Sequence, residues 1–359
     1  MASSCRTRGV DMRRRAGAPE TKSAWLKLGV IVAALTAVVA TTVPVPESLA
    51  QAAKYKIRFG NSQNLGEPTA DTMADFKKEV EAKSNGQIAV EVYPGGQLGK
   101  IEEVVELLRS GAIQMYVNSP QYLSKFYPEI QVTSLPYLFD SPEAADRALD
   151  GAFGTDLRAA VEAKTDFVIM GFEEFGFKHV FNRRRPVRTM DDLSGLKLRV
   201  ISSPVTIKTF QGLGASPIGM AYSEIYSAVQ TGVIDGAELP FTSYRASKLY
   251  EVAKYVSITG HFFELALLVG SKKFLQGLPP DLRKVVMDAA QNTAASTRRI
   301  SRAAQTEARA FIVSKGAEVN DVAPAELAKM RTAVTPVYDW ARAQWGDAYV
   351  AKVLKAVGH

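Results

Sequence analysis

Beyond Lys54 the chain alternates between two hydrophobic periods. Tyr55–Phe59, Ile88–Tyr93 and Ile113–Val117 carry strand-like apolar runs. Between them, Thr69–Lys83 places Met73, Phe76 and Val80 on one helical face, and Ile101–Arg109 forms a second helical segment closed by Gly111. Asn85-Gly86 and Pro94-Gly95-Gly96 punctuate the pattern as turns. Strand and helix in alternation predict parallel β-α-β units. In such sheets ligands sit beyond the carboxyl ends of the strands. Asn61 and Asn118 fall just past two of those ends and are expected to face a cleft.

A second unit begins near Asp166. Phe167–Met170 and Phe177–Phe181 read as two strands, and Leu196–Val200 alternates apolar and basic positions. Val205–Leu213 and Ser223–Thr231 read as helices, and Leu265–Val269 as an apolar strand that returns the chain to the first unit. Pro279-Pro280-Asp281 then opens a helical stretch reaching Lys315 and ending at Gly316. At 1.5 Å per residue it spans about 50 Å, enough to brace two units. Helices bearing Trp340 and Trp345 follow.

The first fifty residues follow a different logic. Arg13, Arg14, Arg15, Lys22 and Lys27 precede an apolar run from Leu28 to Val43, and Ser48-Leu49-Ala50 supplies small residues for cleavage. This three-part pattern predicts a secretory signal peptide over residues 1–50. At 16 residues the run is short for a membrane span, which wants about 20, so an uncleaved anchor is the alternative. Residues 1–50 hold 7 Lys+Arg and 3 Asp+Glu, so the remainder carries 37 against 34, a net charge of +3. The basic character of the whole chain is thus partly that of the leader, and no basic stripe argues for nucleic acid. Cys5, the only cysteine, lies in the same segment. The mature chain is therefore expected to lack disulfides, a thiol nucleophile and cysteine metal ligands.

Signals for catalysis are weak. His179, His261 and His359 are the only histidines and have no metal-ligand spacing. The chain has no G-x-S-x-G, phosphate loop or G-x-G-x-x-G. No cofactor or metal is expected. Binding chemistry is better represented. Leu196, Leu198 and Val200 face a core, so Arg199 projects the other way and offers a fork suited to a carboxylate. A surface arginine or a structural ion pair is the competing reading. Lys178 offers a point charge or is a solvated strand residue. Tyr222 precedes a helix with Ser223 as its expected N-cap and is placed to wall a pocket. Asp235 and Glu238 either bind a cation or satisfy loop amides.

Several motifs in order resemble the DctP-type substrate-binding proteins of TRAP (tripartite ATP-independent periplasmic) transporters, from about Lys56 to Lys315. They include Val92-Tyr93-Pro94-Gly95-Gly96-Gln97-Leu98-Gly99, Leu135-Pro136-Tyr137-Leu138-Phe139 and Gly195-Leu196-Lys197-Leu198-Arg199-Val200. Tyr222-Ser223-Glu224-Ile225-Tyr226, Gln230-Thr231-Gly232-Val233-Ile234-Asp235-Gly236 and Thr259-Gly260-His261 continue the series. The resemblance implies an α/β fold of the two-domain periplasmic binding protein type (type II-like), with crossing hinge strands and a long domain-spanning helix. The expected organisation is one domain from 54–175 plus 263–300, a second from 176–262, the long helix at 280–315 and C-terminal helices at 316–359.

The resemblance further implies a periplasmic receptor, not an enzyme, that closes on a small organic acid and delivers it to the small and large subunits of an ion-gradient-driven permease. A monomer or weak dimer is expected. Its carboxylate-binding arginine matches Arg199, its aromatic wall Tyr222 and its ligand-facing asparagine Asn61. The candidate ligand-binding set is Arg199, Lys178, Tyr222, Asn61, Asn118, Leu239, Glu238 and Phe241. Two departures stand out. Lys178 replaces a common arginine, and Leu239-Pro240 replaces a common Asn-Pro. Leucine in place of an amide predicts a less polar ligand at that point, favouring a simple mono- or dicarboxylate, or an aromatic or branched acid, over sialate-type sugar acids. The rival readings are a binding protein of an ATP-driven importer, a ligand sensor for a membrane kinase and a secreted enzyme acting on organic acids.

Overall fold

A nine-stranded sheet organises residues 53–359, the part of the chain that the computed structural model describes. The segment read as a signal peptide lies outside the described residues. The strands are β1 (Tyr55–Asn61), β2 (Ile88–Tyr93), β3 (Met115–Asn118), β4 (Phe167–Asn182), β5 (Lys197–Val200), β6 (Ser216–Gly219), β7 (Gly236–Leu239), β8 (Tyr255–Ser271) and β9 (Glu318–Asp321). Their spatial order is β2-β1-β3-β8-β4-β7-β5-β6, with β9 beside β8.

The helical crossovers make β1, β2 and β3 parallel, and likewise β5, β6 and β7. The two groups meet only through β4 and β8, which pair antiparallel along nearly their whole length. The group of β1 to β3 docks on the end of β8 at Leu267–Gly270, and the group of β5 to β7 docks on β4 at His179–Asn182. Two lobes therefore share their central strands. The boundaries expected at 175/176 and 262/263 fall inside β4 and β8.

Both shared strands are longer than their apolar runs. Phe167–Met170 and Phe177–Phe181 belong to one 16-residue strand, and Leu265–Val269 is the end of a 17-residue one. The register slips between Ile169 and Gly171, between Glu174 and Gly176, and between Lys178 and Val180. Bulges of this kind bend a strand and leave backbone groups unpaired.

The long helix, Pro280–Ser314, supplies the missing partners. Arg298 Nε donates to the Phe172 carbonyl, Ser301 Oγ to that of Glu174 and Gln305 Nε2 to that of Phe175. Gly171 lets this helix approach: a Cβ there would sit 2.6 Å from that of Ala294. The helix begins in an apolar cluster with Ile57, Phe59, Met73 and Val80. It ends, through Ala308 and Ile312, in a second cluster with Ile225, Val229 and Tyr244. It thus packs against both lobes.

Three C-terminal helices, Pro324–Ala333, Thr335–Trp345 and Asp347–Val357, close the other face. Val337, Val350 and Val353 join a third cluster holding both Phe153 and Phe210. Trp340 and Trp345 pack edge to face at 5.3 Å.

Candidate functional site

The ends of β5 and β7, the middle of β4 and β8, and the loops after β1 and β3 converge on a cavity of about 40 Å³. Arg199, Lys178, Tyr222 and Leu239 all line it. A larger depression of about 480 Å³ lies outside and shares Ser62, Ile101, Tyr122 and Tyr222 with the inner cavity.

Arg199 reaches the cavity because Leu198 anchors β5 in the core and the next side chain must point to the other face. The arginine is 2% exposed. Its Nε donates to the Met220 carbonyl at 2.8 Å. Among the described residues it forms no salt bridge, and no other hydrogen bond from its guanidinium is made to protein. Burying a guanidinium without a counter-charge is costly, so the arrangement suits an anion entering from the cavity.

Lys178 is the opposite case. Although buried, its Nζ lies 3.0 Å from a carboxylate oxygen of Glu238 and 3.0 Å from one of Glu264. Burial alone would lower its pKa, but the two carboxylates outweigh that and hold it above the usual lysine value. Glu238 is 0% exposed and also lies 3.6 Å from His261 Nε2. Burial pushes the Glu238 carboxyl up, but the opposing pull of Lys178, then His261 and Arg199, leaves it below its usual value. Burial also depresses His261, so this ring is neutral. His179 is neutral as well, since burial lowers it to about 3 and its Nδ1 accepts from the Gly260 N–H at 3.2 Å.

Tyr222 stands in a short 3₁₀ turn, Tyr222–Glu224, and the α-helix begins at Ile225. The expected Ser223 cap does not form, because the turn leads into the helix through Glu224 in helical conformation. The Tyr222 hydroxyl lies 2.7 Å from Ser247 Oγ and 3.2 Å from Glu67 Oε1. Ser243 Oγ donates to Glu67 Oε2 at 2.6 Å. Glu67 and Gln63 follow β1, whereas Tyr222, Ser243 and Ser247 belong to the other lobe, so these bonds cross the mouth of the cavity. Lys100 and Glu224 add an exposed ion pair at 3.4 Å across the same gap.

The other candidates lie nearby but outside the cavity wall. Asn61 is turned inward: its Nδ2 donates to Thr69 Oγ1 at 3.2 Å and its Oδ1 accepts from the Gln63 N–H at 2.9 Å. Asn118, opposite Leu267 at the end of β3, is buried with both side-chain polar atoms unpartnered. Phe241 heads the helix Phe241–Ala246 and packs on the His179 ring at 4.9 Å. Glu238 sits behind Lys178. Asp235 satisfies the first amide of β5 and not a loop amide, accepting from the Lys197 N–H at 2.9 Å.

Tyr122 and Glu264 also line the cavity, and the motifs did not single them out. Glu264 had a visible signal, as a lone acid in Phe262-Phe263-Glu264-Leu265-Ala266-Leu267. An acid in a run that apolar is buried and must find a partner. Tyr122 lies in the short turn Pro120–Leu123 that follows the end of β3, a place where cleft residues collect.

A sheet shared by two lobes over a buried, cation-bearing cavity is an arrangement able to hold a small anion between the lobes. Residues 59–344 match the bacterial extracellular solute-binding protein family 7, DctP, and the chain belongs to this family. It is 33% identical over 334 residues to the C4-dicarboxylate-binding periplasmic protein DctP of Rhodobacter capsulatus, covering 92% of this chain and 97% of that protein. Its fold is similar to the sugar acid binding protein DctPAm of Advenella mimigardefordensis in complex with galactonate. That likeness has a TM-score of 0.82 at 31% identity, over 85% of this chain and 98% of the other. A TRAP periplasmic solute binding protein of Shewanella oneidensis with bound succinate superposes with a TM-score of 0.81 at 27% identity, over 85% of this chain and 100% of that one.

Proposed function

We propose that this protein is an extracytoplasmic receptor for a small organic acid, which it holds between its lobes and passes to a TRAP-type permease of small and large membrane subunits. The observation that carries this reading is Arg199, a buried guanidinium that forms no salt bridge among the described residues and has a cavity in front of it. The ligand carboxylate takes the place of the missing counter-charge. Each charge-assisted hydrogen bond formed there is worth about 1.5–3 kcal/mol.

Closure follows from the shared strands. The bulges of β4 near Gly171, Gly176 and Lys178 are the places where the lobes swing, with boundaries near 175/176 and 262/263. The bonds that Tyr222 and Ser243 donate to Glu67 hold the closed form, and a ligand that touches both lobes favours it further. Export through a cleaved signal peptide at residues 1–50 places the receptor in the periplasm. Its role is binding, without turnover of the acid.

The test is a thermal-shift screen of the purified protein against organic acids. A ligand at 1,000 times its dissociation constant adds about 4 kcal/mol of stability. The shift disappears in Arg199→Ala. A variant that responds to the same acid as strongly as the parent removes Arg199 from this role.

A further inference from the structure

We infer that Glu264 makes this cavity selective for a hydroxylated monocarboxylate and excludes dicarboxylates. The inference rests on the reading of Arg199 as the carboxylate anchor.

Two cations line the cavity, Lys178 and Arg199, and only one is free to take an anion. Lys178 Nζ lies at 3.0 Å from each of two carboxylates, Glu238 and Glu264. Arg199 has no such partner among the described residues. One ligand carboxylate is matched by Arg199, while a second finds no unmatched cation on the wall and meets Glu264 instead. Like charges this close disfavour each other strongly when shielded from water.

The acceptor side points the same way. Glu264 is 3% exposed. Its Oε2 faces Lys178 and lies 3.5 Å from Gln121 Nε2. Its Oε1 is buried and receives no hydrogen bond. A carboxylate oxygen can only accept, so it needs a donor. A ligand carboxylate has no hydrogen to offer, whereas a ligand hydroxyl does. Leu239 and Phe175 supply an apolar wall for the carbon skeleton. The relatives named above include proteins with galactonate and with succinate, so this charge balance, not the likeness, makes the choice.

The experiment is calorimetric titration of the purified protein with two length-matched sets. One set is lactate, propionate and malonate, and the other is gluconate, hexanoate and adipate. In the set that fits, the hydroxy acid binds at least tenfold tighter than both companions. An unhydroxylated acid or a dicarboxylate that binds as tightly overturns the inference. Glu264→Gln, checked for folding by circular dichroism, shifts the dicarboxylate to hydroxy-acid affinity ratio at least tenfold toward the dicarboxylate. A folded variant with an unchanged ratio also overturns it. Should Glu264→Gln fail to fold, the ranking on the parent protein decides alone. Arg199→Ala separates the two levels. Dicarboxylate-first binding that Arg199→Ala abolishes sinks only the selectivity. Equal binding in Arg199→Ala, or no binding of any acid by the parent, removes the anchor and the selectivity together.

Discussion

Arg302 grips both carboxylate oxygens of Glu174, with Nε at 3.1 and 3.2 Å and Nη2 at 2.8 Å. Glu174 lies at the central bulge of β4 and its side chain is 2% exposed, while Arg302 reaches it from the long helix. Arg302→Met leaves that carboxylate buried without its main counter-charge. A loss of about 2–4 kcal/mol is expected, within the range for breaking a buried pair and discounted for the half-open arginine. Urea denaturation of the single variants and of Arg302→Met with Glu174→Gln measures it. The double variant recovers much of the loss, and purely additive losses would show that the two residues do not act as a pair.

The Arg199 site tests the value of a planar fork against a bare charge. Arg199→Lys keeps the charge but cannot bond a carboxylate through two parallel N–H groups, and it frees the Met220 carbonyl. Affinity for the acid is expected to fall about 10- to 100-fold, the equivalent of one or two charge-assisted bonds. Calorimetry on parent and variant gives the number, and an affinity preserved within twofold would mean that charge alone suffices.

Gly176 has φ of +106°, and a Cβ there would meet Gln305 Nε2 at 2.9 Å. Gly176→Ala strains the bulge and displaces the amide that bonds the Phe175 carbonyl. A stability loss of about 1–3 kcal/mol is expected, together with weaker ligand binding because the swing point is disturbed. Thermal melts with and without ligand separate the two effects. A variant with parent-like stability and affinity would remove this bulge from the closing motion.

Two buried groups set opposite limbs of the pH profile. Glu173 has neither carboxylate oxygen hydrogen-bonded, and burial raises it to about 8. Between the ordinary glutamate value near 4.5 and about 8, the folded state binds more proton than the unfolded one, so stability falls as pH rises. His179, lowered to about 3 from 6.5, acts in reverse, and its contribution is lost as pH falls below 6.5. Glu173→Gln therefore stabilises the protein by about 4 kcal/mol at pH 7.5 and changes little at pH 4. Melting temperatures across that range check it, and an equal effect at both pH values would contradict the ionisation account.

The long helix was legible because its punctuation and its period agree: Pro279-Pro280-Asp281 opens it and apolar positions recur over ten turns. The shared strands were not. Gly171, Glu173, Glu174 and Gly176 interrupt the apolar pattern of β4, and Ser257, Thr259, His261 and Glu264 that of β8. Three of these polar side chains find partners on distant segments, Glu174 on Arg302, Glu264 on Lys178 and Ser257 on Asn320, while Thr259 and His261 bond each other. Period alone marks strands whose buried faces are apolar, and it fails where burial is balanced by charge. Of the cavity wall, Arg199 and Tyr222 stood out through local position and motif. Tyr122 and Glu264 are brought beside them only by the sheet order.

Because β4 and β8 belong equally to both lobes, neither half owns a complete sheet. Heating this protein should give a single cooperative melt, since unravelling one side strips the other of its inner edge. The same thread means that a molecule seated between the lobes stiffens both of them at once.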